Sequence, residues 1–151
     1  VKQYVHYSKK SSNLFSLLDW FCFNLLIGNN DSHAKNLSLL LSSETYELTP
    51  FYDLLCTVIY PTLKRDFAFQ IGGRYDVLSL STNHIQKLET ELDVRSGTIL
   101  HHLQRMWNTL QLEMPILLEE IELELSDCKI ARRIMLQIQK RAKGFRTIGL
   151  T

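Results

Sequence analysis

The fourteen residues Leu14–Ile27 constrain the chain more than any others. Leu14, Leu17, Leu18, Phe21 and Leu25 mark one helical face, yet Phe15, Trp20, Phe23 and Leu26 occupy the rest. A helix that is apolar all round must be surrounded by protein or by lipid. A bilayer span needs about 20 predominantly apolar residues. This stretch is shorter and carries Asp19 and Asn24, so it reads as the central helix of a soluble domain with no membrane association. Ser11-Ser12-Asn13 supplies a cap before it and Gly28 a stop after it.

A polar, turn-rich segment, Asn29 to Asn36, follows the central helix. Leu37–Leu41 and Thr45–Leu48, joined through Ser42-Ser43-Glu44, read as a short β-hairpin that Pro50 ends. Leu54–Tyr60 is apolar and ambiguous, and Phe67–Ile71 alternates like a strand stopping at Gly72-Gly73. Beyond that the chain is helical. A helix opens at Asn83 with Gln86 three residues on, and a second follows Ser96-Gly97. A third opens at Pro115, and a fourth spans about Asp127 to Lys143 before Gly144. The expected class is mainly α with a small β-hairpin element (α+β).

Composition removes several functions. Among 151 residues, 45% are hydrophobic and 22% charged, which is globular rather than disordered. The net charge of +1 argues against a whole-chain polyanion binder. Cys22, Cys56 and Cys128 stand far apart with no CxxC, which excludes a disulfide framework or zinc ribbon and fits a reducing, cytoplasmic compartment. The six glycines form neither GxGxxG nor GxxxxGK[ST], so the chain holds no phosphate-cradling loop of its own.

Chemistry concentrates in Gly28–Asn36, where Asp31, His33, Lys35 and Asn36 share one short loop. Asp53 follows twenty-two residues after Asp31, past the hairpin. Phosphoryl transfer needs this inventory: a carboxylate for the attacking hydroxyl, an amide and a second carboxylate for magnesium, and a cation for developing charge. Asp31 and Asn36 are five apart, as are the catalytic Asp and metal-binding Asn of protein kinases. With His33 the pattern is D-x-H-x-x-N, the form of lipid-kinase-like relatives. The plainer readings are a polar turn held by Asn and Asp side chains, a loop-ordering His33, a solvated Lys35 and a simple turn at Gly72-Gly73.

Asn30–Ser38, Leu48–Leu55 and Phe67–Gly73, in that order, closely resemble three signatures of HipA-type kinases, over about residues 14 to 75 and more loosely beyond. These are bacterial Ser/Thr kinases of toxin–antitoxin modules. The resemblance implies a kinase-like C-terminal lobe in which Asp31 is the general base. It implies that Asn36 and Asp53 hold magnesium and ATP, with His33 and Lys35 on the phosphate side or ordering the loop. It further implies a cytosolic protein substrate, in known cases an aminoacyl-tRNA synthetase, and a small DNA-binding antitoxin as partner. Leu54-Leu55 stands where kinases carry the Phe-Gly of DFG.

The family's nucleotide-covering lobe, with its loop, autophosphorylated serine and strand lysine, has no counterpart. Residues 1–13 then read as remains of an interlobe connection and 14–151 as the C-terminal lobe. The chain is expected to be a truncated kinase or one half of a split one, a separate N-terminal lobe completing it, with little activity alone.

Two further features bear on partners. Lys129 to Arg146 holds seven basic residues and no acid, while Glu113 to Asp127 holds six acids and no base. The plain reading is two helix faces attracting each other. The sharper one is a non-catalytic kinase remnant that meets an antitoxin or DNA through the basic helix. A magnesium-dependent phosphohydrolase on Asp31, His33 and Asp53 explains neither Asn36 nor the three ordered signatures. Adjacent His101 and His102 point about 100° apart on a helix, so they divide between surface and core rather than chelate.

Overall fold

The computed structural model describes residues 10–42 and 45–151. Helix α1 (Lys10–Ile27) is the axis of the molecule, with Leu18, Cys22, Leu25 and Leu26 almost completely buried. Around it stand α2 (Thr82–Leu92), α3 (Thr98–Glu124) and α4 (Lys129–Gly144). A final 3₁₀ turn, Phe145–Ile148, closes the core with Phe145, Ile148 and Leu150. A two-stranded antiparallel sheet, β1 (Leu39–Ser42) and β2 (Thr45–Leu48), pairs Leu39 with Leu48 and Leu41 with Tyr46. The fold is thus mainly helical with one hairpin, as the sequence implies. Residues 43 and 44 of the hairpin bend, and Tyr4, His6 and Tyr7 of the N-terminal segment, lie outside the described residues.

Four local expectations change. First, α1 begins at Lys10, so Asn13 lies inside it rather than capping it. Its Oδ1 accepts the Leu48 N–H at 2.8 Å, tying the hairpin to the central helix. Second, α2 starts after Ser81 rather than Asn83. His84 reaches back, its Nδ1 accepting from the Ser81 N–H at 3.1 Å, so imidazole does what the capping box assigns to Glu or Gln.

Third, Pro115 opens no new helix; α3 runs unbroken for 27 residues. Proline removes one backbone donor from the ladder, that of the Gln111 carbonyl. Both residues lie on the exposed face, while Leu110, Met114, Leu118 and Ile121 line the apolar groove against α4. Packing on one side outweighs one missing bond on the other. Fourth, Phe67–Ile71 is not a strand. Its alternation is real, since Phe67 and Ile71 are buried, but among the described residues no neighbouring strand pairs with it. The segment folds back on itself: Phe67 N–H donates to the Tyr75 carbonyl at 2.9 Å, and Ile71 and Arg74 bond mutually around Gly72-Gly73.

Gly72 is required there. Its φ is +56°, and a Cβ would fall 2.2 Å from the His84 carbonyl oxygen. Polar anchors complete the frame. Glu89 of α2 is buried, and its carboxylate accepts from Gly97 N–H (3.0 Å) and Ile99 N–H (2.8 Å), holding the positive end of α3. Asp19 of α1 meets His102 Nδ1 at 2.6 Å and the Arg105 guanidinium, both of α3. His102 is buried and His101 exposed, so the two divide as expected. Arg132 of α4 pairs with Glu122 of α3 at 2.8 Å, one contact of the kind the opposed charge runs anticipate.

Two outcomes follow. Gly72→Ala is expected to lower stability by about 3 kcal/mol through strain and overlap, read by thermal or urea unfolding. Burial pushes the Asp19 carboxyl up, but hydrogen bonds from Arg105 and His102 outweigh it and hold its pKa below the ordinary value. A lowered folded pKa gives stability that is present above the unfolded value, about 4, and lost as pH falls through the folded one. Urea melts from about pH 6 to about pH 2 should therefore show a flatter acid limb for Asp19→Asn than for the parent.

Candidate functional site

The loop after α1 is built from side-chain amides. Gly28 turns the chain at φ +73°, and a Cβ there would lie 2.5 Å from Val58 Cγ2. Its carbonyl accepts from Val58 N–H (3.2 Å) and Thr57 Oγ1 (3.0 Å), and Thr57 Oγ1 accepts from Asn30 N–H at 2.8 Å. The apolar 54–60 segment, ambiguous in sequence, thus includes a 3₁₀ turn, Thr57–Ile59, that grips the loop from below.

Asn29 is the hub. It is almost wholly buried, and its Nδ2 donates to Asn24 Oδ1 (2.8 Å) and to the Asp53 carbonyl (2.9 Å). Its Oδ1 accepts the Asp31 N–H at 3.2 Å. Asn24, fully buried on α1, donates in turn to the Trp20 carbonyl at 2.8 Å. One amide pair therefore fixes the backbone at both candidate carboxylates to the central helix. Nothing in the motif spacing singled out Asn24 or Asn29. The signal was present as an amide inside the most apolar stretch of the chain, a costly placement unless its hydrogen bonds are met.

Asn36 and Asp53 are brought together. Asn36 lies in a 3₁₀ turn, Ala34–Asn36, and its Nδ2 donates to Asp53 Oδ2 at 2.8 Å and to the Asp31 carbonyl at 3.3 Å. Asp53 holds φ at +57°, a left-handed conformation uncommon for a non-glycine residue. Tyr52 anchors the approach to it, its hydroxyl donating to the Lys35 carbonyl (3.1 Å) and lying 3.0 Å from Ser38 Oγ. Asp31 and His33 form a second pair, His33 Nε2 lying 2.8 Å from Asp31 Oδ1, with both side chains well exposed. Lys35 is exposed in the 3₁₀ turn and takes part through its carbonyl.

The donor set suits a hard cation. The Asn36 amide nitrogen is committed to Asp53, so Oδ1 is the end of Asn36 available to metal, beside the Asp53 carboxylate. Two oxygen ligands from protein, completed by water and phosphate oxygens, are what magnesium takes in nucleotide sites. Among the described residues no three His, Cys, Asp or Glu side chains converge on a point, so the softer, all-protein metal cages have no candidate there. Asp31 is free of that pair, with its carboxylate open to a hydroxyl.

Comparison with known proteins places the chain among relatives. Residues 1–114 match the family model described as the HipA-like C-terminal domain. Y4mE of Sinorhizobium fredii, which bears a provisional kinase name, is 36% identical over 87 residues, 58% of this chain and 21% of that protein. The serine/threonine-protein kinase toxin HipA of Shewanella oneidensis is 30% identical over 90 residues, 60% of this chain and 21% of the relative. The chain therefore spans about a fifth of the length of these curated relatives. A solved structure of the Shewanella oneidensis HipA–HipB toxin–antitoxin system with operator DNA superposes with a TM-score of 0.75 at 25% identity. The match covers 90% of this chain and 32% of that one.

The amide hub and the exposed pair should separate on mutation. Asn29→Ala removes bonds to Asn24, Asp31 and Asp53 inside the protein and is expected to cost about 3 kcal/mol. His33→Ala, on an exposed pair, should stay within about 0.5 kcal/mol. Urea unfolding, with amide exchange at the Asp31 N–H that Asn29 Oδ1 accepts, reads the difference.

Proposed function

The chain belongs to the HipA-like C-terminal domain family, and from that membership we propose that it is the catalytic-loop lobe of a serine/threonine protein kinase. The observation that carries this reading is the 2.8 Å bond between Asn36 and Asp53. It joins two motifs seventeen residues apart beside an exposed carboxylate at Asp31.

In this reading Asp31 accepts the proton of a serine or threonine hydroxyl as that oxygen bonds to the γ-phosphorus of ATP, while the bond from that phosphorus to the bridging oxygen breaks and ADP departs. His33, bonded to the same carboxylate, holds it in one orientation. Magnesium, when held by Asn36 and Asp53, would neutralise charge on the nucleotide phosphates. Asn29 keeps Asp31 and Asp53 in register, since its one side chain bonds the main chain of both. Lys35 stands close enough in sequence to serve phosphate, and its exposure fits a group that engages when nucleotide arrives. The nucleotide-covering lobe would come from elsewhere in the complete protein.

Substrate and partner follow as parts of the same proposal. The target is a cytosolic protein, with an aminoacyl-tRNA synthetase as the first candidate to assay. The solved relative was captured with HipB and operator DNA, which supports a DNA-binding antitoxin as a partner here. The reading of α4 as a nucleic-acid helix is weakened by two of its cations. Arg132 is paired with Glu122, and Arg141 is turned inward onto the Leu25 carbonyl. No helix among the described residues is long and apolar enough to cross a membrane.

The test is phosphate transfer from labelled ATP by the full-length protein that carries this chain. Asp31→Ala and Asp53→Ala should each lower it by about a thousandfold while far-ultraviolet circular dichroism stays that of the parent. The 151-residue chain alone should bind ATP weakly and transfer little. An Asp31→Ala protein with parental turnover removes the general-base role.

A further inference from the structure

Asp31 and His33 stand at one end of a cleft of about 790 Å³. Its walls come from three separate places: Leu55, Tyr60 and Leu63 after Asp53, Tyr75 beyond the Gly72-Gly73 turn, and Ile130 on α4. All five are large apolar side chains that lie about half exposed or more. Isolated apolar residues on a surface are ordinary, but several converging on one concave site are the mark of a binding surface. The cleft reaches Asp31 and His33 without being lined by Asn36 or Asp53. Its occupant is therefore whatever brings a hydroxyl to Asp31, distinct from what the Asn36–Asp53 pair holds.

The walls are fixed to the catalytic loop. Asn30 Nδ2 donates to the Lys64 and Arg65 carbonyls at 3.3 and 2.9 Å, and Thr57 locks onto Gly28. A side chain seated against Leu63 or Tyr60 is thereby held in register with the Asp31 carboxylate. Charge at the cleft narrows the occupant. Lys64 is offset by Asp66 and Asp31, all three on the lining. A phosphorylated lipid headgroup calls for a cluster of cations, which this lining does not offer. A small polyol calls for hydrogen-bonding walls, and these walls are largely apolar. A polypeptide, with apolar side chains between amides, matches both properties.

Resting on the kinase reading above, we infer that this cleft selects the acceptor: a polypeptide segment whose serine or threonine is followed or preceded within a few residues by a large apolar side chain. The hydroxyl sits at Asp31, and the apolar side chain packs among Tyr60, Leu63 and Ile130. These three are specificity-determining residues rather than catalytic ones.

The experiment presents the full-length protein, with magnesium and ATP, to an arrayed library of short peptides carrying a fixed Ser or Thr and one randomised neighbour at a time. Leu, Ile, Met or Phe at one position should be favoured by about tenfold, the discrimination expected of an apolar pocket. Ile130→Glu and Leu63→Glu, both at exposed positions, should erase that preference or turn it toward Lys and Arg, with KM for ATP unchanged. Asp31-dependent phosphorylation without positional preference, or a preference that both variants leave intact, overturns the docking inference while the kinase reading stands. Transfer to phosphatidylinositol in phosphatidylcholine vesicles, with none to peptides, replaces the occupant by a lipid and also overturns it. Absence of any Asp31-dependent consumption of ATP fails the kinase reading itself.

Discussion

A single buried amide contact, Asn24 to Asn29, organises the functional half of this molecule. An amide placed among apolar side chains is unfavourable until its donors and acceptor are met, and few arrangements meet them. Here the Asn24 amide is met by its own helix and by Asn29, which then has one hydrogen for the Asp53 carbonyl and an oxygen for the Asp31 amide. The penalty of an unmet group thus becomes a geometric constraint. Loops are ordinarily the most variable and mobile part of a fold. This one is tied by hydrogen bonds to the buried central helix.

The opposite side of α1 is held by charge. Asp19 faces His102 and Arg105 of α3, and Arg141 of α4 donates through Nε to the Leu25 carbonyl at 2.8 Å. Burial lowers the Arg141 pKa to about 10, a shift that leaves it cationic near neutrality. A cation at the carboxyl end of a helix also complements the helix dipole. Polar groups thus fasten α1 near its middle and at the end from which the candidate-site loop departs.

Much of this was legible in the chain itself. The apolar run Leu14–Ile27 could only be central, Gly28 could only end it, and the hairpin stood out between turn residues. Asp31, Asn36 and Asp53 were visible as a pattern because their spacing resembles that of kinase motifs. What escaped was decided by tertiary context. Phe67–Ile71 alternates because Phe67 and Ile71 enter the core, Phe67 against Phe21 of α1, and alternation without a partner strand makes no sheet. Pro115 reads as a helix start because proline lacks a donor; only the long apolar flank on α4 shows why the helix continues. Asn24 and Asn29 sit where sequence gives residue identity but not adjacency, and their role exists only once Asp53 has returned across the hairpin.

The left-handed backbone at Asp53 narrows what this position can become over evolutionary time. Glycine, asparagine and aspartate are the residues that enter such a conformation at small cost. Glycine brings no oxygen ligand and asparagine no charge, while glutamate keeps the charge but meets the steric penalty. Under the proposed cation role, backbone strain and ligand chemistry, acting through unrelated physics, leave one residue type at this position. A lineage that released the first constraint, by reshaping the turn after Tyr52, would loosen the second as well. Under the proposed role, the conformation of one peptide unit and the ligand on its side chain would therefore be kept or lost together.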